Sequence, residues 1–139
     1  MKGVGMVSHG EYAAGLHDAL KMFVGNRDDV VSIGLKQGED VASLEVRINA
    51  LCDSFNEADE FIILADLIGG SPLTTLMKCF AKRDYLKHSV ILGGMNLAMA
   101  LNAVLMKEND LAQVKEIALN EASAAIKEMN CSSEDEEDI

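Results

Sequence analysis

The chain has 139 residues, a length that suits one domain with a sizeable core, and its formal net charge is −11. Hydrophobic residues make up 49% of it, which excludes a disordered chain, yet there are only four Phe, two Tyr and no Trp. The negative charge would repel a phosphate backbone, and few aromatic rings are available to stack on bases. Both features argue against nucleic-acid binding.

The N-terminal half alternates short apolar runs with helical patterns. Residues 3–7 predict a first strand, and apolar residues then recur at helical spacing over 12–24, with Gly25 as the helix stop. A second strand is predicted at 30–33, and the apolar positions of 41–51 predict a second helix.

The C-terminal half continues the alternation. Residues 61–64 predict a buried third strand, and a helix is expected to follow from the turn before Ser71. Residues 90–92 predict a fourth strand, 97–106 a helix, and 110–129 a long last helix.

This order predicts an α/β fold, with a doubly wound, mostly parallel four-stranded sheet and helices on both faces. We expect one domain over residues 1–130 and an acidic, disordered tail over 131–139. Ligands of such sheets bind beyond the carboxyl ends of the strands. The segments to inspect are therefore 8–10, 66–71 and 93–96.

The sequence predicts a cytoplasmic protein. Only Lys2 precedes a five-residue apolar run at the N-terminus, which is too short for a signal peptide. The stretch 89–106 carries no charge, but glycines and asparagines interrupt it, so strand, turn and helix are expected there rather than a membrane span.

His9 and Asp66 are the candidate catalytic residues. His9 ends the first strand directly before a helix, where backbone N–H groups attract anions and a neutral imidazole can act as a nucleophile. Asp66 ends the third strand, which is expected to lie close to the first. A carboxylate bonded to one ring nitrogen would fix the tautomer, leave the other nitrogen free to attack, and stabilise a cationic ring.

Glycines beside these residues are candidates for a phosphate site. Gly10 precedes the first helix, and Gly69 and Gly70 form a tight turn whose N–H groups are unobstructed by side chains. Ser71 adds a hydroxyl and is expected to be the helix N-cap, with Pro72 as the first helical residue.

No cofactor is expected. The chain lacks the Gly-Lys phosphate loop and the dinucleotide fingerprint, which argues against a nucleotide as the phosphate source. The three cysteines, like the histidines, match no metal-ligand spacing, and His17 and His88 look exposed. In the third segment, Asn96 is expected to cap the helix that follows.

Three segments together carry a resemblance: residues 5–10 (Gly-Met-Val-Ser-His-Gly), 66–72 (Asp-Leu-Ile-Gly-Gly-Ser-Pro) and 94–99 (Gly-Met-Asn-Leu-Ala-Met). In this order and spacing they resemble the enzyme IIA domain of the mannose family, from the bacterial phosphoenolpyruvate-dependent sugar phosphotransferase system. The resemblance extends from residue 1 to about residue 130. Two positions depart from the family pattern: Leu67 replaces a frequent Thr, and Ala98 a frequent Pro.

The resemblance implies a function. The histidine matching His9 takes phosphate from the histidine phosphocarrier protein and gives it to a separate IIB component, which phosphorylates the sugar. The aspartate matching Asp66 orients that histidine, and the turn matching 69–71 lies beside the phosphoryl group. Contact with the membrane would be indirect, through IIC and IID components. Homodimers are common in the family, and a dimer could supply a fifth strand by exchanging C-terminal segments.

Three other functions stay open at this point. The phosphocarrier subunit of dihydroxyacetone kinase systems shares the Val-Ser-His start, though a different turn is expected after its aspartate. A regulatory module that is phosphorylated to control a transcription factor is the second. A binding domain with an incidental histidine is the third.

Overall fold

The computed structural model describes residues 2–56 and 59–131. Along the chain these residues form β1 Lys2–His9, α1 Tyr12–Val24, β2 Val30–Leu35, α2 Val41–Cys52, β3 Glu60–Ala65, α3 Ser71–Lys82, a 3₁₀ turn Leu86–His88, β4 Ser89–Leu92, α4 Leu97–Leu105 and α5 Leu111–Ala124. The strands and helices predicted from the apolar pattern are all present, and each buries some of its apolar side chains, although Tyr12 and Phe23 of α1 and Val41 of α2 are exposed.

The sheet is parallel throughout, with the strand order β2-β1-β3-β4. The chain leaves β1 toward β2 on one side and returns to β3 on the other side, so the strand order reverses between β1 and β3. Such a reversal opens a crevice at the carboxyl ends of the two strands, where His9 and Asp66 lie. The predicted doubly wound, four-stranded sheet is confirmed.

Helices cover both faces of this sheet, as predicted. Val4 and Met6 of β1 pack in one buried cluster with α1, α4 and α5, whereas Val7 packs in a second with α2 and α3. The alternation follows from the strand geometry, which points successive side chains to opposite faces. Cys52 and Cys79 are buried thiols of the second cluster.

Two predicted helix boundaries were wrong. The N-cap of α3 is Gly70, since the Thr74 N–H donates to the Gly70 carbonyl and so makes Ser71 the first helical residue. The last helix ends at Ala124 and not near residue 129, because every described residue beyond it is exposed. A segment that buries nothing gains no packing energy to keep it helical.

Within the described ranges, no helix is long and apolar enough to cross a membrane. The uncharged stretch 89–106 folds as β4, a turn and α4, as its glycines predicted. The predicted acidic tail, 131–139, lies outside the described residues except for Cys131.

Candidate functional site

The loops after β1, β3 and β4 meet at the carboxyl end of the sheet, where hydrogen bonds join them. The N–H of Asp66 donates to the Val7 carbonyl at 3.3 Å, and the N–H of Gly94 donates to the Asp66 carbonyl at 3.2 Å. The hydroxyl of Tyr12, the first residue of α1, donates to the Met95 carbonyl at 2.6 Å. The structure thus brings the three segments singled out in the sequence to one edge.

His9 and Asp66 form the centre of this edge. Nδ1 of His9 lies 2.8 Å from Oδ2 of Asp66, and the same oxygen accepts the His9 backbone N–H at 2.9 Å. Oδ1 accepts the backbone N–H of Leu67 at 2.8 Å. The carboxylate is 13% exposed and the imidazole 46%, so the His9 ring reaches solvent whereas Asp66 is largely covered.

The charge of Asp66 decides which nitrogen of His9 is free. Partial burial opposes ionisation of Asp66, but the hydrogen bonds from His9 and Leu67 outweigh burial and hold the pKa of the carboxyl below its usual value. An ionised carboxylate can only accept hydrogen bonds, so Nδ1 carries the proton. The lone pair is therefore on Nε2, the ring nitrogen that Asp66 does not contact.

Gly70 packs against the edge of the ring that carries Nε2. A Cβ at this position would lie 2.6 Å from Cε1 and 3.2 Å from Nε2 of His9, so only glycine fits without moving the ring. Because Gly70 is also the N-cap of α3, the positive end of that helix dipole begins beside Nε2. Gly69 and Ser71, the other predicted residues of this turn, are exposed on either side of it.

The residues on either side of His9, Ser8 and Gly10, are fixed by hydrogen bonds. Ser8 is fully buried, and its hydroxyl accepts the Ala13 N–H at 2.7 Å and donates to the His9 carbonyl at 3.0 Å. Gly10 has a positive φ of 53°, and its N–H donates to the Leu35 carbonyl at 2.7 Å. That N–H is thus already bonded, and what Gly10 offers an incoming group is the absence of a side chain.

Sequence reasoning did not single out Ser8 as a functional residue. The available signal was a small hydroxyl side chain a few residues before a helix start, a common capping pattern. Here the cap acts from outside the helix, five residues before the N–H that it satisfies.

Asn96 lies on the same edge and caps α4, as predicted. Its side-chain oxygen accepts the Met99 N–H at 2.9 Å, and its amide nitrogen donates to the Ala122 carbonyl at 3.1 Å. The second bond ties the end of α5 to the edge of the sheet that carries His9.

Exposed apolar side chains lie on the same edge of the sheet as the imidazole, at the start of α1 and in the loop after β3. Tyr12 is 48% exposed, Leu67 59% and Ile68 62%. Ile68 lies so close to Gly93 that a Cβ there would come within 2.4 Å of its Cγ1. Clustered exposed apolar groups are typical of a surface that contacts another protein.

The other histidines are placed differently. His17 is half-buried rather than exposed, and its Nδ1 lies 2.8 Å from the Ser32 hydroxyl. Burial, with help from Lys21, lowers the pKa of His17, which favours a neutral ring. Among the residues described, no group of three or more His, Cys, Asp or Glu side chains is arranged to hold a metal ion.

Comparison with known proteins gives a family. Residues 3–121 match the model of the EIIA-man family, described as "PTS system fructose IIA component". A curated relative is the fructose-specific EIIA component of the phosphotransferase system of Bacillus subtilis. It is 21% identical over 101 residues, which cover 73% of this chain and 67% of the relative.

Solved structures share the fold. The mannose/sorbose-specific IIA subunit of Enterococcus faecalis superposes with a TM-score of 0.81 at 21% identity, covering 96% of this chain and 98% of that one. The IIA protein associated with the fucose utilization operon of Streptococcus pneumoniae gives 0.76 at 28% identity, with 91% and 92% covered. The family model spans nearly all of the described fold, including all three loops at the His9 edge, and the chain therefore belongs to the EIIA-man family of IIA components of sugar phosphotransferase systems.

Proposed function

We propose that this protein is a phosphocarrier that accepts a phosphoryl group on Nε2 of His9 from the histidine phosphocarrier protein and donates it to a separate IIB component. One observation carries the proposal: Oδ2 of Asp66 lies 2.8 Å from Nδ1 of His9, which leaves Nε2 as the nitrogen available for attack on a ring that is 46% exposed. Family membership supports the wider role, that of a sugar phosphotransferase component.

The transfer is a displacement at phosphorus. The Nε2 lone pair of His9 forms a bond to phosphorus while the bond from phosphorus to the donor's imidazole nitrogen breaks, and the donor ring leaves with that electron pair. Nδ1 keeps its proton in the hydrogen bond to Asp66. In the second half of the cycle a nucleophilic side chain of IIB attacks the same phosphorus, and His9 leaves with the electron pair.

Two charged features suit the phosphorylated state. The bonded imidazole carries positive charge, which the Asp66 carboxylate stabilises through the Nδ1 proton. The phosphoryl oxygens would project beside Gly70, where the dipole of α3 favours negative charge. Gly69 and Ser71 flank that position, and the missing side chain of Gly10 leaves the approach open.

The cellular location that we propose follows from the location of the two protein partners. The phosphocarrier and IIB act in the cytoplasm, where we place this protein, and contact with the membrane would be made only by IIC and IID components. The exposed Tyr12, Leu67 and Ile68 suit brief contact with each protein partner in turn.

A reconstituted relay tests the proposal. Phosphoenolpyruvate, enzyme I and the histidine phosphocarrier should label the protein with phosphate that acid releases and base does not, without ATP. His9→Ala should take no label, because it lacks the acceptor nitrogen. His88→Ala, which changes a part-buried histidine at the 3₁₀ turn, is the matched control and should label like wild type.

The acceptor half of the relay is tested separately. Isolated phosphorylated protein should lose its label to a IIB component of the same operon. Labelling of His9→Ala equal to wild type would contradict the assignment of the acceptor. A stable phosphoprotein that discharges onto no IIB component would contradict the transport role.

A further inference from the structure

The turn that carries His9 is held on a second side, away from Asp66, by the end of β2. The Gly10 N–H donates to the Leu35 carbonyl at 2.7 Å. The Gly10 carbonyl lies against Gly34, where a Cβ would come within 2.1 Å of its oxygen. The Gly10 N–H is thus bonded to Leu35 of β2, its carbonyl packs closely against the preceding residue, Gly34, and Gly34 has to be a glycine for this approach.

An arginine on α2 secures this end of β2. Nη2 of Arg47 donates to the Gly34 carbonyl at 2.6 Å. Gly34, which packs against Gly10, is therefore hydrogen-bonded to α2. The same guanidinium makes a bidentate interaction with Glu39, in which Nε donates to Oε2 at 2.9 Å and Nη2 donates to Oε1 at 2.6 Å. Glu39 in turn accepts the Lys36 N–H at 2.9 Å, which closes the loop between β2 and α2.

We propose that Gly34, Glu39 and Arg47, here named the β2 clamp, are positioning residues that fix the His9–Gly10 turn so that the imidazole stays aligned between Asp66 and Gly70. The inference rests on the proposed function for its kinetic consequence. None of the three is placed to touch the transferred phosphoryl group; they act through the backbone of Gly10.

The electrostatics of the clamp support a permanent rather than a transient contact. Arg47 and the Lys36 N–H lower the pKa of Glu39 to about 2, so the pair is charged throughout the physiological range. The Glu39 side chain is 11% exposed and the Arg47 side chain 33%, so the pair is partly shielded from solvent. A bidentate fork also fixes orientation, which a single lysine contact would not.

The position of the His9 imidazole is restricted by three sets of contacts. Asp66 fixes Nδ1 and the backbone N–H, Gly70 allows no lateral movement toward α3, and the clamp fixes the residue that follows. A displacement of about 1 Å in a reacting group can cost up to ~100-fold in rate. Loss of the clamp should therefore slow transfer without abolishing it.

Arg47→Gln is the primary test, and Arg83→Gln is its matched control. Arg83 also donates to a backbone carbonyl, that of Cys79, and to a carboxylate, that of Asp53, but it lies at the far end of α3 from Gly70. Single-turnover transfer from the phosphorylated carrier, measured over a range of carrier concentrations, separates the maximal rate from the apparent KM. We expect Arg47→Gln to lower the maximal rate about tenfold with little change in KM. Arg83→Gln should retain both values.

A second readout does not depend on phosphorylation. The Nδ1 proton of His9, hydrogen-bonded to Asp66, can be followed by ¹H–¹⁵N NMR of imidazole-labelled protein. In Arg47→Gln it should exchange with water at least about threefold faster than in wild type, because the turn opens more often. Arg47→Lys restores a donor for the Gly34 carbonyl and should recover part of both losses.

Gly34→Ala tests the clamp without touching Arg47, since its Cβ would push the Gly10 carbonyl away. It should show the same slower transfer and faster proton exchange.

An Arg47→Gln protein whose transfer rate and His9 proton exchange both match wild type would overturn the inference. So would equal losses in Arg47→Gln and Arg83→Gln, which would indicate a general effect on stability. If wild type itself takes no phosphate, the proposed function fails, and the NMR comparison still decides the positioning role.

Discussion

At the scale of single residues, Asp66 has two tasks that its geometry combines. One oxygen receives both the backbone N–H and the Nδ1 proton of His9, and the other receives the Leu67 N–H. The carboxylate therefore fixes the orientation of the ring and supplies the negative charge opposite it. These tasks can be separated by a substitution that keeps the shape and removes the charge.

Asp66→Asn should keep the fold and slow phosphoryl transfer by ~10²–10⁴-fold. With its oxygen toward His9, the asparagine can still accept the Nδ1 proton, but its amide nitrogen then faces the Leu67 N–H, and the side chain carries no charge to stabilise the phosphorylated ring. The single-turnover rate from the phosphorylated carrier measures this loss, with circular dichroism as the check on folding. A rate within about twofold of wild type would remove Asp66 from the mechanism.

The same carboxylate gives a prediction for stability against pH. Its pKa is lower in the folded protein than the ordinary value of 3.8, so its ionised form stabilises the fold. The contribution is complete above the unfolded pKa and declines as the pH falls through the lower, folded value. The difference in unfolding free energy between wild type and Asp66→Asn should therefore shrink as the pH falls from about 5 to below 4, where the carboxylate takes up its proton. Urea titrations at several pH values measure it, and a difference that grew toward low pH would contradict the prediction.

At the scale of elements, the start of α3 is fitted to the ring it faces. Gly70 has an extended backbone, with φ −88° and ψ 158°, which any residue can adopt. Its requirement for glycine comes from the approach of His9, not from its dihedral angles. Its neighbour Gly69 has open space where a Cβ would be, so the two glycines of one turn can be compared directly.

Gly70→Ala should leave α3 folded and reduce phosphoryl acceptance, by up to ~100-fold, because the new methyl group displaces the imidazole. Gly69→Ala should accept phosphate at nearly the wild-type rate. Both rates come from the same relay assay, and the His9 ring signals in NMR should shift only in the first variant. Equal rates for the two variants would mean that the Gly70 contact is not needed for transfer.

At the scale of the whole molecule, β4 is one of the two edge strands of the described sheet, β2 being the other. Within the described residues β4 pairs only with β3, on its inner side. Beyond α5 the described chain is exposed, with Ile126 at 79% and Met129 at 57%, and Asn96 ties the end of α5 near the carboxyl edge. An exposed edge strand and an exposed apolar segment in the same chain favour pairing between two copies.

We therefore expect a homodimer, in which exchanged C-terminal segments could add a fifth strand to each sheet. Light scattering at micromolar concentration should give twice the mass of the 15.0 kDa chain. Ile126→Asp, which places a charge in the apolar segment, should shift the mass toward the monomer, whereas Met22→Asp, at an exposed apolar residue on α1, should not. A monomeric mass for the wild type at that concentration would end this idea.

The order and type of the elements, and the end of the sheet at which the site lies, can be predicted from the amino-acid sequence alone. Apolar periodicity is local, so it identified the strands and helices from β1 to α4 within a few residues. The topological rule for parallel sheets then brought His9, Asp66 and the glycine turn together before any contact was known. The chemistry of His9 and Asp66 could be inferred because both stand where strands end.

Contacts between residues that are distant in sequence become apparent only in the folded protein. In the sequence, Gly34 is an ordinary strand glycine, and only the structure shows that Gly10 packs against it. Arg47 likewise has the pattern of an exposed helix arginine, and only the structure shows that it donates to Glu39 and Gly34. The end of α5 depends in the same way on where the core stops, which no local pattern records. Such features arise from the packing of whole elements against one another, whereas sequence periodicity reports only which side of each element is apolar.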